Sequence, residues 1–183
     1  NTTGTYNTFI GGHGPDTYAS GYSNTTGVRN VAVGGSSLGR NLTGSYNAAL
    51  GVQSLQITTS DYNTGVGYSA LQINTSGAYN TAVGAQALNS NTTANNNTAV
   101  GYQAAYTNTT GTEVVALGLQ SLYSNTTGYA NHALGYASLF SNTTGGYNTA
   151  VGHSALNANT TASYNTAVGY QAGYSNTTGA TYA

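Results

Sequence analysis

The sequence predicts an all-β fold, a parallel β-solenoid of about ten 17-residue coils. Three observations predict it. The letters N-T-A-V-G stand at Asn80–Gly84, Asn97–Gly101, Asn148–Gly152 and Asn165–Gly169, with looser copies at Asn30–Gly34, Asn47–Gly51, Asn63–Gly67 and Asn131–Gly135. The closing glycines are Gly34, Gly51, Gly67, Gly84, Gly101, Gly118, Gly135, Gly152 and Gly169, separated by 17 residues at every step but one, which is 16. Each repeat also runs Asn, Thr and Gly in succession, which are poor helix formers, and its apolar letters do not recur at helical spacing. A fixed period of this size is the mark of stacked repeats.

Taken in order, the chain opens on a partial coil that ends at Tyr6. Asn7–Gly11 then begins a coil with extra residues. Matching Tyr18–Gly27 to Tyr170–Gly179 places a six-residue insertion at 12–17, which holds Pro15, the only proline, and is expected to bulge from the stack without breaking it. The 16-residue coil is Asn47–Tyr62, where Thr58-Thr59-Ser60-Asp61 stands in place of N-T-T-G. Asn131–Tyr147 shows most of the consensus. Residues 1–183 are read as one repeat array, and its opening and closing within N-T-T-G units lead us to expect a segment of a longer array.

Each repeat offers two strand candidates. One is the T-A-V or V-A-L run before the glycine; the other is the run after it, such as Tyr102–Tyr106. The N-T-T-G block between them is read as the corner, with Asn tolerating left-handed backbone and Gly taking positive φ. Parallel stacking at ~4.8 Å per coil gives a rod roughly 45–50 Å long. Apolar letters alternate in direction along a strand, so one set fills the coil while another faces out. A continuous apolar stripe along a rod usually marks an interface, which leads us to expect an oligomer.

Composition narrows the function. Charged residues make up 3%: Asp16, Arg29, Arg40, Asp61 and Glu113, with no lysine and a net charge of −1. Nucleic acid is therefore not an expected partner, since phosphate binding needs clustered Lys and Arg. No cysteine is present, so no disulfide or thiolate site is available. No apolar run approaches the ~18 residues of a membrane span, so no membrane insertion of this segment is expected, and no signal peptide is visible.

The candidate chemistry is sparse. His132 and His153 read as substitutions in surface columns, and no metal or other cofactor is expected. His13 and Asp16 share the insertion G-H-G-P-D, which reads as a solvated loop. Three scattered acids give no carboxylate pair, and no base stands beside a serine, so no catalytic residue and no enzyme activity are expected. N-x-S/T sequons occur at Asn24, Asn41, Asn74, Asn91, Asn108, Asn125, Asn142, Asn159 and Asn176. Taken alone they read as glycosylation sites. Stacking ~4.8 Å apart favours an asparagine ladder instead, each amide bonded to its neighbours. The tyrosines fall into sets: Tyr46, Tyr62, Tyr79, Tyr147 and Tyr164; Tyr68, Tyr102, Tyr136 and Tyr170; and Tyr106, Tyr123 and Tyr174 with Phe140. They read first as packing columns and second as faces for glycans.

N-T-A-V-G-x-x-A resembles the S-V-A-I-G-x-x-A/S repeat of YadA-like trimeric autotransporter adhesin heads, although those repeat at a shorter period. The chain is more similar still to the N-T-A-V-G/N-T-T-G repeat arrays of phage tail-fibre-like proteins that carry a chaperone-of-endosialidase domain. The matching positions are Asn80–Gly84, Asn97–Ala104, Asn148–Ala155 and Asn165–Gly179. The resemblance implies a left-handed β-roll and a homotrimer. It implies a structural fibre or shaft with an adhesive or host-recognition role, extracellular, on a virion or bacterial cell surface, with surface glycans as a possible partner class. The rival reading is an ice-binding β-solenoid presenting threonine columns, such as Thr92-Thr93 and Thr126-Thr127.

Overall fold

The computed structural model describes residues 2–12 and 18–179. Ten strands of three residues each follow one another: β1 (Thr8–Ile10), β2 (Val31–Val33), β3 (Ala48–Leu50), β4 (Thr64–Val66), β5 (Thr81–Val83), β6 (Thr98–Val100), β7 (Val115–Leu117), β8 (His132–Leu134), β9 (Thr149–Val151) and β10 (Thr166–Val168). They form one ten-stranded parallel sheet in chain order, so each strand pairs with the strand of the next coil. The fold is a parallel β-solenoid with about 17 residues per coil and no helix among the described residues.

The register absorbs both irregular places. Thr8 pairs with Val31 across the insertion, and Ala48 pairs with Thr64 across the short coil. The neighbouring strands therefore align residue for residue on either side. Of the insertion expected at 12–17, residues 13–17, with His13, Pro15 and Asp16, lie outside the described residues. In the short coil the deletion removes one corner residue. Ser60 takes the corner-glycine place, because its carbonyl lies against Gly44 as that of Gly44 lies against Gly27. Asp61 takes the following slot, accepting from the Ser45 N–H at 2.7 Å as Ser45 Oγ accepts from Val28 N–H. The sequence alignment of Thr58–Asp61 with N-T-T-G is corrected by one residue.

The second strand candidate is not a strand. After the glycine the backbone enters a turn in which alternate residues are left-handed: Gln103 has φ 53° and Ala105 φ 49°, Gln120 φ 53° and Leu122 φ 52°. Such residues are costly outside glycine. They persist because the two left-handed residues of each turn point their N–H groups at opposite neighbours, while the residue between them donates within its own coil, as Ala104 N–H does to Gly101 O. Gln103 N–H donates to Ala85 O in the coil before at 3.0 Å, and Ala105 N–H donates to Ser121 O in the coil after at 2.9 Å. The backbone groups are thereby paired without a ladder.

The same turn settles the core. Strand alternation would send adjacent residues to opposite sides, but here Ala87 and Leu88 are both buried, as are Ser121 and Leu122. The interior is filled by the middle alanine of most strands (Ala32, Ala49, Ala82, Ala99, Ala116, Ala133, Ala150), with Gly65 in that place in β4, and by a leucine column (Leu38, Leu55, Leu71, Leu88, Leu122, Leu139, Leu156) in which Ala105 takes one place. At the first coil the sizes are exchanged: Phe9 occupies the alanine slot and Gly21 the leucine slot, where a methyl group would overlap the Phe9 ring. Large and small swap across the interior, so its volume is kept.

Two glycine columns answer different needs. The nine repeat glycines, Gly34 through Gly169, have φ between 124° and 135°, and all but the last also stand where a Cβ would overlap the next coil's glycine carbonyl. The corner glycines, such as Gly111, Gly128 and Gly145, were expected at positive φ but are not left-handed. A Cβ there would overlap a carbonyl oxygen of the next coil and the corner asparagine's own side chain. Close approach, not backbone hand, favours a small residue at the corner, where Ala94, Ala162 and Ser60 stand in three of the coils.

Candidate functional site

Two columns of asparagine run through the interior. The corner column consists of Asn24, Asn41, Asn74, Asn91, Asn108, Asn125, Asn142, Asn159 and Asn176, buried in every coil but the last, where Asn176 is half-buried. None of them is left-handed. The side chains point inward, and from Asn41 to Asn159 each amide is shared between two acceptors. Asn125 Nδ2 donates to Asn108 Oδ1 at 2.7 Å and to Gly128 O at 2.8 Å. Asn142 Nδ2 donates to Asn125 Oδ1 at 2.9 Å and to Gly145 O at 2.9 Å. The same link joins Asn41 to Asn24, Asn91 to Asn74, Asn108 to Asn91, Asn159 to Asn142 and Asn176 to Asn159. Where Thr58 interrupts the column, its hydroxyl lies 3.1 Å from Ser60 Oγ, and the Asn74 amide turns to Ser60 Oγ at 3.3 Å.

The strand asparagines form the second column, whose role the sequence reading missed. Asn30, Asn47, Asn63, Asn80, Asn97, Asn131, Asn148 and Asn165 are buried. Their carbonyl oxygens accept the backbone N–H of the next coil, as Asn80 Oδ1 does from Asn97 N–H and Asn131 Oδ1 from Asn148 N–H, both at 3.0 Å. Their amides reach the corner carbonyl, as Asn97 Nδ2 does at Gly111 O, 2.9 Å. The signal was present, since this Asn opens every N-T-A-V-G copy. No buried side-chain N or O among the described residues lacks a partner, as a packed polar interior requires.

Outside, the strands present two columns on one face. The first strand residue gives a row of threonines: Thr64, Thr81, Thr98, Thr149 and Thr166, interrupted by Val115 and His132. The third gives a row of Val, Leu and Ile that stays partly wet: Leu50 is 51% exposed and Val168 69%. The corner threonines behave differently from the expected array. The first of each pair donates its hydroxyl to the next coil, Thr92 to Thr109 O at 3.0 Å and Thr126 to Thr143 O at 3.0 Å, while the second faces solvent. Adjacent threonines thus do not form one outward surface.

Two of the three tyrosine sets contain ring stacks. Tyr46, Tyr62 and Tyr79 stack at 4.8 and 5.2 Å, and Tyr106, Tyr123 and Phe140 at 5.3 and 5.1 Å. Neighbours cover both faces of Tyr62 and Tyr123, so these rings offer solvent their edges and not the faces that a sugar would need. Arg29 occupies the place of a tyrosine in the Tyr62 column, with its guanidinium between the Tyr6 and Tyr46 rings, 5.6 and 5.4 Å from their centroids, a cation–π sandwich. Glu113 stands farther along that column and Asp61 beside it, so these two acids are not paired. His153 sits between Tyr136 and Tyr170, 4.8 and 5.3 Å from their rings, and His132 faces out from β8. No group of three His, Cys, Asp or Glu comes together among the described residues. The Tyr147 hydroxyl is held above its ordinary pKa, first by the side-chain hydrogen bond with Tyr129, then by charge repulsion from Tyr129, desolvation, and the charges of Tyr164 and Glu113.

No family model matches the chain, and neither a curated protein nor a solved structure matches it.

Proposed function

We propose that this chain is a shaft segment of a surface fibre, working as a homotrimer, with an attachment role at the outside of a virion or bacterial cell. The observation that carries the proposal is the outward apolar row at the third strand position, from Ile10 at 58% exposure to Val168 at 69%. It follows the stacking direction, and a like rod laid alongside would cover it. A cyclic assembly closes such a surface from water, whereas an open one would keep adding chains. Three copies are what the resemblance to trimeric adhesin heads implies. The interior supports a load-bearing role, because hydrogen-bonded columns join coil to coil and a bend must disturb many bonds at once. Sedimentation of the folded chain is expected to give a trimer, and serine at Val83, Val100 and Val151 is expected to dissociate it with the circular dichroism spectrum unchanged. A monomer at micromolar concentration would overturn the proposal.

A second reading, ice binding, gains from one observation. The hydroxyls of the strand threonines Thr81, Thr98, Thr149 and Thr166 face out without a protein partner, beside the methyl groups of the valine row. Thermal hysteresis with shaped ice crystals, lost on changing Thr81 and Thr98 to Leu, would favour this reading over the fibre.

A further inference from the structure

One outer column carries Tyr106, Tyr123 and Phe140 in successive coils, then Asn157, then Tyr174. The three rings lie within 10° of parallel from one to the next. Asn157 breaks the stack. Its amide turns aside and donates to Ala137 O at 3.0 Å. The ring-sized place between Phe140 and Tyr174 is left open as a recess of about 340 Å³, also lined by Tyr136, Gln120, Ser154 and Asn157. That volume is within the usual range for small-molecule sites, about 300–1,000 Å³.

We propose that this gap is a binding slot for one neutral pyranose ring of a surface glycan, a hexose or N-acetylhexosamine inserted between Phe140 and Tyr174. The height of the slot argues for a sugar over a flat ring. Two coil spacings give roughly 9.6 Å between the flanking rings, or ~4.8 Å to either side of a guest. Carbon atoms pack best at about 3.5–4.0 Å, so a planar guest would leave a gap that forfeits much of the contact. A chair with axial hydrogens on both faces is thicker and fills it. Ring faces are the negative side of an aromatic quadrupole, suited to C–H groups polarised by sugar oxygens.

The polar groups suit hydroxyls. In the glutamine column Gln103 donates to Gln86 at 3.0 Å and Gln120 to Gln103 at 3.1 Å, but the next residue is Ala137. The Gln120 carbonyl oxygen therefore has no amide partner from the coil above it. The Ser154 and Tyr136 hydroxyls and the Asn157 carbonyl oxygen complete the set. No charged side chain lines the slot, which excludes acidic sugars from the proposal. The inference names a ligand for the attachment role and rests on that reading for its biological meaning; the binding itself can be tested alone.

The test is a titration of the full chain followed by amide NMR, with the methyl glycosides of glucose, galactose, mannose, N-acetylglucosamine and N-acetylgalactosamine, and with 4-methylphenol as a flat control. At least one glycoside is expected to bind with a Kd on the order of 1 mM, shifting signals of Phe140, Ser154, Asn157 and Tyr174. Asn157→Phe continues the existing stack, so it is expected to fold and to weaken that binding by at least about tenfold. Failure of every glycoside, binding that Asn157→Phe leaves intact, or tighter binding of 4-methylphenol would each overturn the slot. Attachment to cells that survives Asn157→Phe would show that attachment does not run through the slot, overturning its assigned biological meaning and leaving the attachment role standing. Sugar binding lost in Asn157→Phe by a chain that attaches to nothing would do the reverse.

Discussion

The corner asparagine column and the Tyr62 column climb the same coils, one inside and one outside, and they tolerate change very differently. Inside, the asparagine recurs from Asn24 to Asn176 with one break at Thr58. That break coincides with a deleted residue and is bridged by the Ser60 hydroxyl. Outside, the column runs Tyr6, Arg29, Tyr46, Tyr62, Tyr79, Asn96, Glu113, Ala130, Tyr147 and Tyr164, and all ten hold a left-handed backbone. A buried amide must satisfy its neighbours above and below, so its identity is fixed by atoms on other coils. An outer side chain needs only to lie against the next one. Backbone hand is imposed on the outer column by the stack and not chosen by its residues.

The largest expected effect comes from breaking the inner column. Asn125→Ala removes the donor to Asn108 Oδ1 and Gly128 O and the acceptor for Asn142 Nδ2. Each orphaned buried group costs about 1–3 kcal/mol, so a loss of about 3–5 kcal/mol is expected in urea unfolding. Asn125→Asp, which keeps the shape but not the donors, should lose nearly as much at neutral pH. A loss below about 1 kcal/mol in both would show that packing, not the amide chain, holds the corner.

A sugar on Asn125 would do the same damage, because both amide hydrogens are already donated. Folded chain secreted from a glycosylating host is therefore expected to carry no glycan there. Intact mass should not change when Thr127→Ala removes the sequon. A hexosamine-bearing Asn125 peptide from folded protein would refute the ladder as the fate of this residue.

Breaking the outer column costs less. Tyr62→Ala uncovers one face each of Tyr46 and Tyr79. At about 0.5–1.5 kcal/mol per stacked pair, discounted for half-exposed rings, a loss of about 1–2 kcal/mol is expected. Ala130→Gly should move the other way. Ala130 has φ 51°, so glycine relieves the left-handed penalty and stabilises by about 0.5–1 kcal/mol after its greater freedom when unfolded. A destabilised Ala130→Gly would mean that the alanine methyl packs more than it strains.

The difference between the columns also explains what could be read from the letters. Period, parallel pairing and the corner ladder were legible because each follows from repeating one residue at one phase, as Asn91, Asn108 and Asn125 do. The turn after the glycine was not. Tyr102–Tyr106 has strand-like composition, and nothing in Gln103 or Ala105 announces φ near 50°. That conformation arises from bonds to Ala85 and Ser121 on other coils. The corner glycine was found for the wrong reason, since close approach to another coil leaves no mark in local sequence. The Phe140–Tyr174 slot was hidden because Asn157 looks like any polar substitution until the rings beside it are placed.

The smallest effect isolates a single contact beside the outer column, between Tyr147 and the Tyr129 that precedes Ala130. Tyr147 stacks on Tyr164 at 4.9 Å and meets Tyr129 edge-on at 4.9 Å. Its pKa lies above the ordinary 10.0, with the Tyr129 hydrogen bond as the first cause. The fold thus favours the protonated phenol. The stability this contributes is fully present below the unfolded pKa of about 10 and is lost as pH rises through the higher folded value. Tyr129→Phe keeps the edge contact but removes the hydroxyl. In an ultraviolet titration Tyr147 is then expected to ionise closer to 10.0, still somewhat raised by desolvation and by the charges of Tyr164 and Glu113. The variant should also lose less stability than the parent between pH 9 and 11, a window on either side of the ordinary tyrosine pKa of about 10. If Tyr147 ionises at the same pH in both proteins, desolvation and the charges of Tyr164 and Glu113, rather than Tyr129, set its acidity.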